Sequence, residues 1–178
     1  LIARLLVEKG IREYVQAAER LKRQYPEARF LLVGPLDPSP GGIDEAEAQR
    51  WSASGAVEYL GNQDDVRPSL KSSRIYVLPS YYREGTPRTI LEAMAMGRPI
   101  ITADSPGCRE TVEEGRNGFL VAPRNAEALT EAMERFLQDP DLAERMGAES
   151  LKIARDKYDV HEVNEAMLDF MGLDSTLV

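Results

Sequence analysis

The sequence has a single cysteine, Cys108, and a single histidine, His161, among its 178 residues. One cysteine excludes internal disulfides and metal sites built from several thiolates, and it is typical of a reducing compartment. One histidine argues against histidine-based catalytic triads and multi-histidine metal sites. No run approaches the roughly 20 apolar residues that span a bilayer, and no targeting peptide is visible. We therefore expect a cytoplasmic protein.

The sequence has fewer basic than acidic residues. The chain has 22 Lys and Arg against 30 Asp and Glu, so its formal net charge is −8. A nucleic-acid backbone requires clustered Lys and Arg, so we expect no nucleic-acid partner. The same charge argues against direct contact of this chain with an anionic membrane surface. With 43% hydrophobic residues and this length, we expect one domain, residues 1–178.

Short apolar runs alternate with helical patterns along the chain. Periodicity and turn residues predict strands at 1–7, 29–33, 57–60, 75–78, 99–102 and 118–121. Helices are predicted at 11–24, 44–54, 66–71 and 88–96, and the chain is predicted to be helical from about residue 126 onward. The first helix has an apolar stripe of Ile11, Val15, Ala18 and Leu21, and Gly97 suits the C′ position after the fourth. This alternation is typical of an α/β fold, and we predict a Rossmann-like, doubly wound parallel sheet. Ligands of such sheets bind beyond the carboxyl ends of the strands.

The most informative segment follows the fourth predicted strand. Thr86 suits the N-cap of the next helix and Pro87 suits its first position. The free N–H groups of that first turn, with Gly85 allowing close backbone approach, form an anion site suited to a diphosphate. Glu84 precedes the helix and Glu92 lies about two turns along it, so the two carboxylates could grip different parts of one extended ligand. Taken alone, two glutamates at this spacing are more typical of a solvated helix face, and only the surrounding residues favour a ligand site.

The surrounding string resembles the E-x7-E signature of glycosyltransferase family 4. The signature is matched from Glu84 to Glu92, and the similarity extends over essentially the whole chain. The matching strings are Pro79-Ser80, Glu84-Gly85, Leu91-Glu92-Ala93-Met94-Ala95-Met96-Gly97-Arg98-Pro99, Gly107-Cys108-Arg109-Glu110 and Gly118-Phe119-Leu120-Val121. The resemblance implies the C-terminal, donor-binding half of a two-domain GT-B enzyme. We then expect the N-terminal, acceptor-binding domain to lie outside this chain.

The resemblance also implies roles for the residues of the signature. Glu84 is expected to contact hydroxyl groups of the donor sugar, and Glu92 is expected to hold the ribose. Gly85, Thr86 and Pro87 form the loop beside the diphosphate, with backbone N–H groups offered by Gly85 and Thr86. Glu84 is thus a catalytic candidate, and the other four residues are candidates for donor binding.

Further candidates follow other predicted strands. By composition alone, Arg4 and Lys9 are two cations on a solvated surface. The family has an arginine and a lysine at this spacing, which implies that Arg4 and Lys9 neutralise the donor diphosphate and stabilise charge on the leaving group. Gly61 and Asn62 stand where the family places the nucleobase, although an ordinary turn explains Asn62 equally well. Gly34 is the remnant of the family's glycine-rich turn after the second strand.

The activity that the resemblance implies is transfer of a sugar from a nucleotide sugar to a hydroxyl acceptor, with retention of anomeric configuration. We expect UDP-hexose or UDP-N-acetylhexosamine as the donor. We expect no metal and no other cofactor, because no DxD-type carboxylate pair ends a strand. Tyr81-Tyr82 and Asp64-Asp65-Val66-Arg67 look most like bacterial enzymes of surface-polysaccharide or lipid-linked glycan synthesis. The N-terminal domain would then bind the glycan or lipid-linked acceptor and make any contact with the inner face of the cytoplasmic membrane.

Two other functions stay open: a nucleotide-sugar epimerase with the same fold, and a nucleotide-sugar-binding module without turnover. For the remaining polar residues, ordinary structural roles are favoured. Asp64 and Asp65 suit helix capping better than metal binding, and Cys108 suits packing better than nucleophilic catalysis. His161 is expected at the surface or between domains.

Overall fold

The computed structural model of the chain describes residues 1–171 and has an α/β architecture. Its strands are β1 (Leu31–Leu32), β2 (Glu58–Tyr59), β3 (Tyr76–Leu78), β4 (Ile100–Ala103) and β5 (Gly118–Val121). Its α-helices are α1 (Ile11–Gln24), α2 (Glu45–Ala53), α3 (Arg67–Ser72), α4 (Arg88–Ala95), α5 (Ala126–Gln138), α6 (Leu142–Tyr158) and α7 (Val160–Met171).

The strands form two parallel ladders. β1 pairs with β2, and β4 lies between β3 and β5, with Tyr76 opposite Ile100. A hydrogen bond of 3.0 Å from Tyr76 Oη to Ile2 O connects the second ladder to the segment beside β1. The chain beyond that segment contacts the loop after β3, because Tyr81 N donates to Glu8 O over 2.9 Å. The carboxyl ends of the parallel strands therefore meet at one edge, as the sequence predicted.

The strand predicted at the start of the chain is wrong in its extent. The segment runs parallel to β1 only through isolated bridges, such as that of Ile2 with Val33. Leu6 N–H donates to Arg4 O over 2.8 Å, and this local turn bends the chain out of the ladder. A single 3₁₀ turn, Val7–Lys9, follows. The bend brings Lys9 to the edge where the strands end.

The other elements lie close to where the sequence predicted them, but β1, β2 and β3 are shorter than predicted. β1 and β2 contain two residues each, and β4 begins one residue later than predicted. The bounds predicted for α1 are confirmed. α2 begins at Glu45 because Asp44 is its N-cap and accepts a hydrogen bond of 2.6 Å from Glu47 N. Gly97 follows α4 with φ of +67°, which confirms its predicted C′ position.

Helices cover the sheet on both faces. All four residues of β4 are buried, and successive side chains of a strand point to opposite faces, so neither face of β4 meets solvent. α1 packs against α5, and α4 packs against α6. The buried residues Ile11, Val15 and Ala18 form the apolar stripe that was predicted for α1.

The last described helix is α7, and His161 is exposed on it, in line with the predicted position at the surface or between domains. Residues 172–178, the end of the predicted helical region and domain, lie outside the described residues. Among the helices of residues 1–171, none combines the length and the hydropathy of a transmembrane span.

Candidate active site

Lys9 and Glu84 form an ion pair at the carboxyl edge of the sheet. Lys9 ends the 3₁₀ turn after the first segment, and Glu84 lies in the loop of residues 79–87 between β3 and α4, hereafter the β3–α4 loop. Lys9 is only 8% exposed, so its ammonium group is largely withdrawn from solvent and depends on a protein partner. The fold thus joins two residues that the sequence analysis had assigned separately.

The start of the β3–α4 loop is held by the turn that presents Lys9. The N–H groups of Tyr81 and Tyr82 both donate to Glu8 O, over 2.9 and 3.1 Å. Ser80 is fully buried, and its hydroxyl lies 3.4 Å from Glu84 Oε1. The Tyr82 ring is close to Lys9, with 5.1 Å between Lys9 Nζ and the ring centroid. These contacts fix the position of the ion pair relative to the sheet.

The predicted N-cap of α4 is wrong by one residue. Pro87, with ψ of 123°, is the N-cap, and α4 begins at Arg88. The Pro87 carbonyl accepts the first helical bond, from Ile90 N over 3.1 Å, as an N-cap carbonyl does. Thr86 is exposed and makes no capping hydrogen bond. Pro87 is therefore not the first helical residue, and it has no N–H group to offer a ligand.

Open backbone donors lie around this helix start. Within residues 1–171, the N–H groups of Gly85, Thr86, Arg88 and Thr89 have no intramolecular acceptor. The backbone of a helix N-terminus and of the loop before it favours anions, through the N–H groups themselves and through the helix dipole. The arrangement suits an anionic group, and the diphosphate at this position stays a prediction.

Glu92 is exposed on α4. It is four residues beyond Arg88, about 6 Å along the axis and therefore little more than one turn into the helix rather than two. Its carboxylate is accessible to a ligand that follows the helix away from the β3–α4 loop.

Arg4 does not join the Lys9–Glu84 pair. It is exposed, and its guanidinium donates to Asp37 Oδ2 over 3.0 Å. Hydrogen bonds from Ser39, together with Arg4, lower the pKa of Asp37 below its ordinary value, so this partner is ionised at neutral pH. A diphosphate at this edge would compete with Asp37 for Arg4.

Gly34 and Gly61 contact each other at the ends of β1 and β2. Gly34 N donates to Gly61 O over 2.8 Å, and Tyr59 Oη donates to Gly34 O over 3.0 Å. A Cβ atom on Gly34 would lie 1.8 Å from Ala3 O, so no larger residue fits between the neighbouring strands. Gly34 therefore serves close strand packing in this structure. Gly61 and Asn62 follow β2, and Asn62 is exposed.

Three residues in these contacts had no role predicted from the sequence: Ser80, Tyr82 and Asp37. For Ser80, the signal in the sequence was its place in the strings that carry the family resemblance. Cys108 is fully buried, which confirms its predicted packing role, and burial raises the pKa of its thiol. Within residues 1–171, no three His, Cys, Asp or Glu side chains are grouped as ligands for a metal ion.

The chain is similar to known glycosyltransferases. Residues 1–152 match the family model of glycosyl transferases group 1. Over 142 residues, the chain is 37% identical to N,N'-diacetylbacillosaminyl-diphospho-undecaprenol alpha-1,3-N-acetylgalactosaminyltransferase of Campylobacter jejuni, covering 80% of this chain and 36% of that protein.

Solved structures have the same fold. Anabaena Alr3699/HepE in complex with UDP superposes with a TM-score of 0.84 at 25% identity, covering 96% of this chain and 47% of that one. Sucrose-phosphate synthase from Thermosynechococcus elongatus superposes with a TM-score of 0.80 at 30% identity, covering 95% and 43%. The chain thus spans less than half the length of these proteins and corresponds to one half of a GT-B structure. It belongs to the glycosyl transferases group 1 family.

Proposed function

We propose that this domain binds a UDP-sugar donor in a retaining glycosyltransferase whose acceptor-binding domain lies outside this chain. The observation that supports the proposal best is the position of the Lys9–Glu84 pair beside the open N–H groups at the start of α4. An ammonium group and backbone donors suit a diphosphate, and a carboxylate suits the hydroxyl groups of a sugar.

The contact between Lys9 and Glu84 suggests how the donor is oriented. If Glu84 binds the sugar and Lys9 binds phosphate, the two subsites are adjacent, so Lys9 meets the phosphate that is bonded to the sugar. Glu92, about one turn along α4, then lies on the nucleoside side and binds the ribose. Gly61 and Asn62 follow β2 at the same edge and are assigned to the uracil base.

We assign to this layout the front-face, retaining transfer that the family resemblance implies. The bond between the sugar C1 and the diphosphate oxygen breaks, and its electron pair remains on that oxygen. The acceptor hydroxyl bonds to C1 from the same face, and its proton passes to the departing phosphate oxygen. Lys9 and the N–H groups at the start of α4 stabilise the negative charge that grows on the diphosphate. Glu84 holds the sugar hydroxyls and stabilises the positive charge that develops on the ring.

The relatives support the substrate classes. The Campylobacter enzyme is named for a diphospho-undecaprenol-linked substrate, and the HepE structure contains UDP. We therefore assign the full-length protein to bacterial polysaccharide or lipid-linked glycan synthesis in the cytoplasm. Any contact with the inner membrane face is assigned to the acceptor-binding domain.

A nucleotide screen tests the proposal. We expect calorimetry on the 178-residue chain to show binding of UDP, with GDP and ADP weaker and UMP weaker than UDP. The chain alone should bind the donor but transfer no sugar, because the acceptor-binding domain is not part of it. UMP binding as tight as UDP would contradict the diphosphate site, and efficient transfer by the chain alone would contradict the two-domain assignment.

A further inference from the structure

The loop that follows β4 packs directly against the β3–α4 loop, which contains Glu84. Gly107, in the loop of residues 104–108, hereafter the β4 loop, has φ of +85°. A Cβ atom on it would lie 2.4 Å from Glu84 O and 2.5 Å from Gly85 O. Both are backbone atoms, so a side chain at this position could be accommodated only by moving the Glu84–Gly85 segment itself.

The β4 loop also holds the beginning of the β3–α4 loop. Ser105, 5% exposed, donates from its hydroxyl to Ser80 O over 2.7 Å. The Ser80 hydroxyl in turn lies 3.4 Å from Glu84 Oε1. Cys108 is fully buried, and its N–H donates to Ser105 O over 3.2 Å, which anchors the β4 loop to the core. The two loops thus meet both at Ser80 and at Glu84–Gly85.

We infer that Gly107 and Ser105 are positioning residues of the site, which set the location of the Glu84 carboxylate and the Gly85 N–H. The inference rests on the proposed role of Glu84 in binding the donor sugar. A carboxylate that stabilises a transition state must keep its position closely, since a displacement of about 1 Å can cost roughly 10²-fold in rate. Glycine at position 107 permits both the positive φ and the contact with the loop above it.

The glycine could instead be required only for its backbone conformation, and a matched control separates the two explanations. Gly55, between α2 and β2, has φ of +74° and nothing within 4 Å of its added Cβ. Gly55→Ala therefore introduces the same kind of backbone strain without displacing a neighbour. Gly107→Ala introduces the strain and also the collision with the loop.

The experiment compares the two alanine variants in the full-length enzyme, with UDP-glucose and UDP-N-acetylglucosamine as donor probes. We expect both variants to lose some thermal stability, and only Gly107→Ala to lose kcat, by roughly 10²-fold. UDP affinity should change less than kcat in Gly107→Ala, because UDP lacks the sugar. Equal effects of the two variants on kcat would overturn the inference.

A second variant covers the case in which Gly107→Ala does not fold. Ser105→Ala creates no collision and removes the hydrogen bond to Ser80 O. We expect a several-fold loss of kcat with UDP affinity close to that of the unaltered enzyme; an unchanged kcat in this variant would contradict the inference. Glu84→Gln is measured in parallel. Activity retained in Glu84→Gln overturns the proposed function, whereas loss there with normal activity in both β4-loop variants overturns this inference alone.

Discussion

Lys9 and Glu84 are 75 positions apart in the sequence and form an ion pair where the first segment and β3 end. In the proposed donor site, the pair places the cation assigned to phosphate next to the anion assigned to the sugar hydroxyls. It also gives each charged group a partner when no ligand is bound, which Lys9 needs because it is almost completely buried. If a nucleotide sugar binds here as proposed, it rearranges an existing ion pair and does not meet two free charges.

Replacement of Lys9 by Met should weaken UDP binding. Met has a similar length but no charge, so the diphosphate loses a charge-assisted contact and meets the unpaired Glu84 carboxylate. We expect roughly a tenfold or larger rise in the UDP Kd, since such a contact is worth about 1.5–3 kcal/mol. Calorimetry with UDP and with uridine separates the contribution of the diphosphate to binding from that of the nucleoside. Uridine has no phosphate, so its affinity should be unaffected.

A matched control is Lys22→Met on α1, where the ammonium group donates to Pro26 O over 3.0 Å. This variant should bind UDP normally. Equal UDP affinity in Lys9→Met and Lys22→Met would exclude Lys9 from the phosphate site.

Arg4 should contribute less than Lys9. It is exposed and already paired with Asp37, and water and salt screen such a cation. We expect Arg4→Ala to weaken UDP binding several-fold, with the effect fading at high salt. Asp37→Asn should bind UDP at least as well as the unaltered chain, because it frees Arg4 for the diphosphate.

The control for Arg4 is Arg29→Ala. Arg29 lies before β1 and pairs with Glu58, over 2.6 Å, so its loss tests removal of an exposed arginine away from the proposed site. If Arg4→Ala and Arg29→Ala leave UDP binding equally unchanged, Arg4 serves only its contact with Asp37.

The sequence predicted the elements well where local signals decide them. The amphipathic stripe of α1 and Gly97 after α4 act within a few residues, and both were placed correctly. Thr86 was misplaced as an N-cap because Pro87 supplies the capping carbonyl, a choice between adjacent residues that local propensity does not resolve. The bend at Leu6 depends on a single local turn, so the first strand was predicted too long.

The composition of the site could be predicted, but its contacts could not. Lys9, Glu84 and Glu92 were predicted through the family resemblance, whereas the partner of Lys9 is a tertiary contact that nothing in the local sequence indicates. The same holds for Arg4 and Asp37, which are 33 positions apart. Gly107 was visible as a glycine in a matching string, whereas its contact with Glu84 and Gly85 depends on how two loops stack.

Transfer should not require a metal ion. The proposed donor site offers Lys9 and the N–H groups of the α4 start to the diphosphate, so charge neutralisation does not depend on a divalent cation. We expect EDTA to leave the activity of the full-length enzyme nearly unchanged. Activity that disappears on chelation and returns with Mg²⁺ or Mn²⁺ would show that the diphosphate charge is met differently.

The two glutamates should have different kinetic effects. Glu92 is assigned to the ribose, which does not change during the reaction, so Glu92→Gln should raise the donor KM more than it lowers kcat. Glu84 is assigned to the sugar that gains positive charge. Glu84→Gln should therefore lower kcat by roughly 10²-fold, the equivalent of about 3 kcal/mol of transition-state stabilisation.

Calorimetry with free UDP on these two variants tests the central claim most directly, because UDP contains the ribose and the diphosphate but no sugar. We predict that Glu92→Gln weakens UDP binding by roughly tenfold or more. Glu84→Gln should bind UDP as tightly as the unaltered chain or more tightly, because Lys9 is released from its partner. If UDP binding is lost in Glu84→Gln but retained in Glu92→Gln, the account is contradicted. The donor would then bind in the opposite orientation.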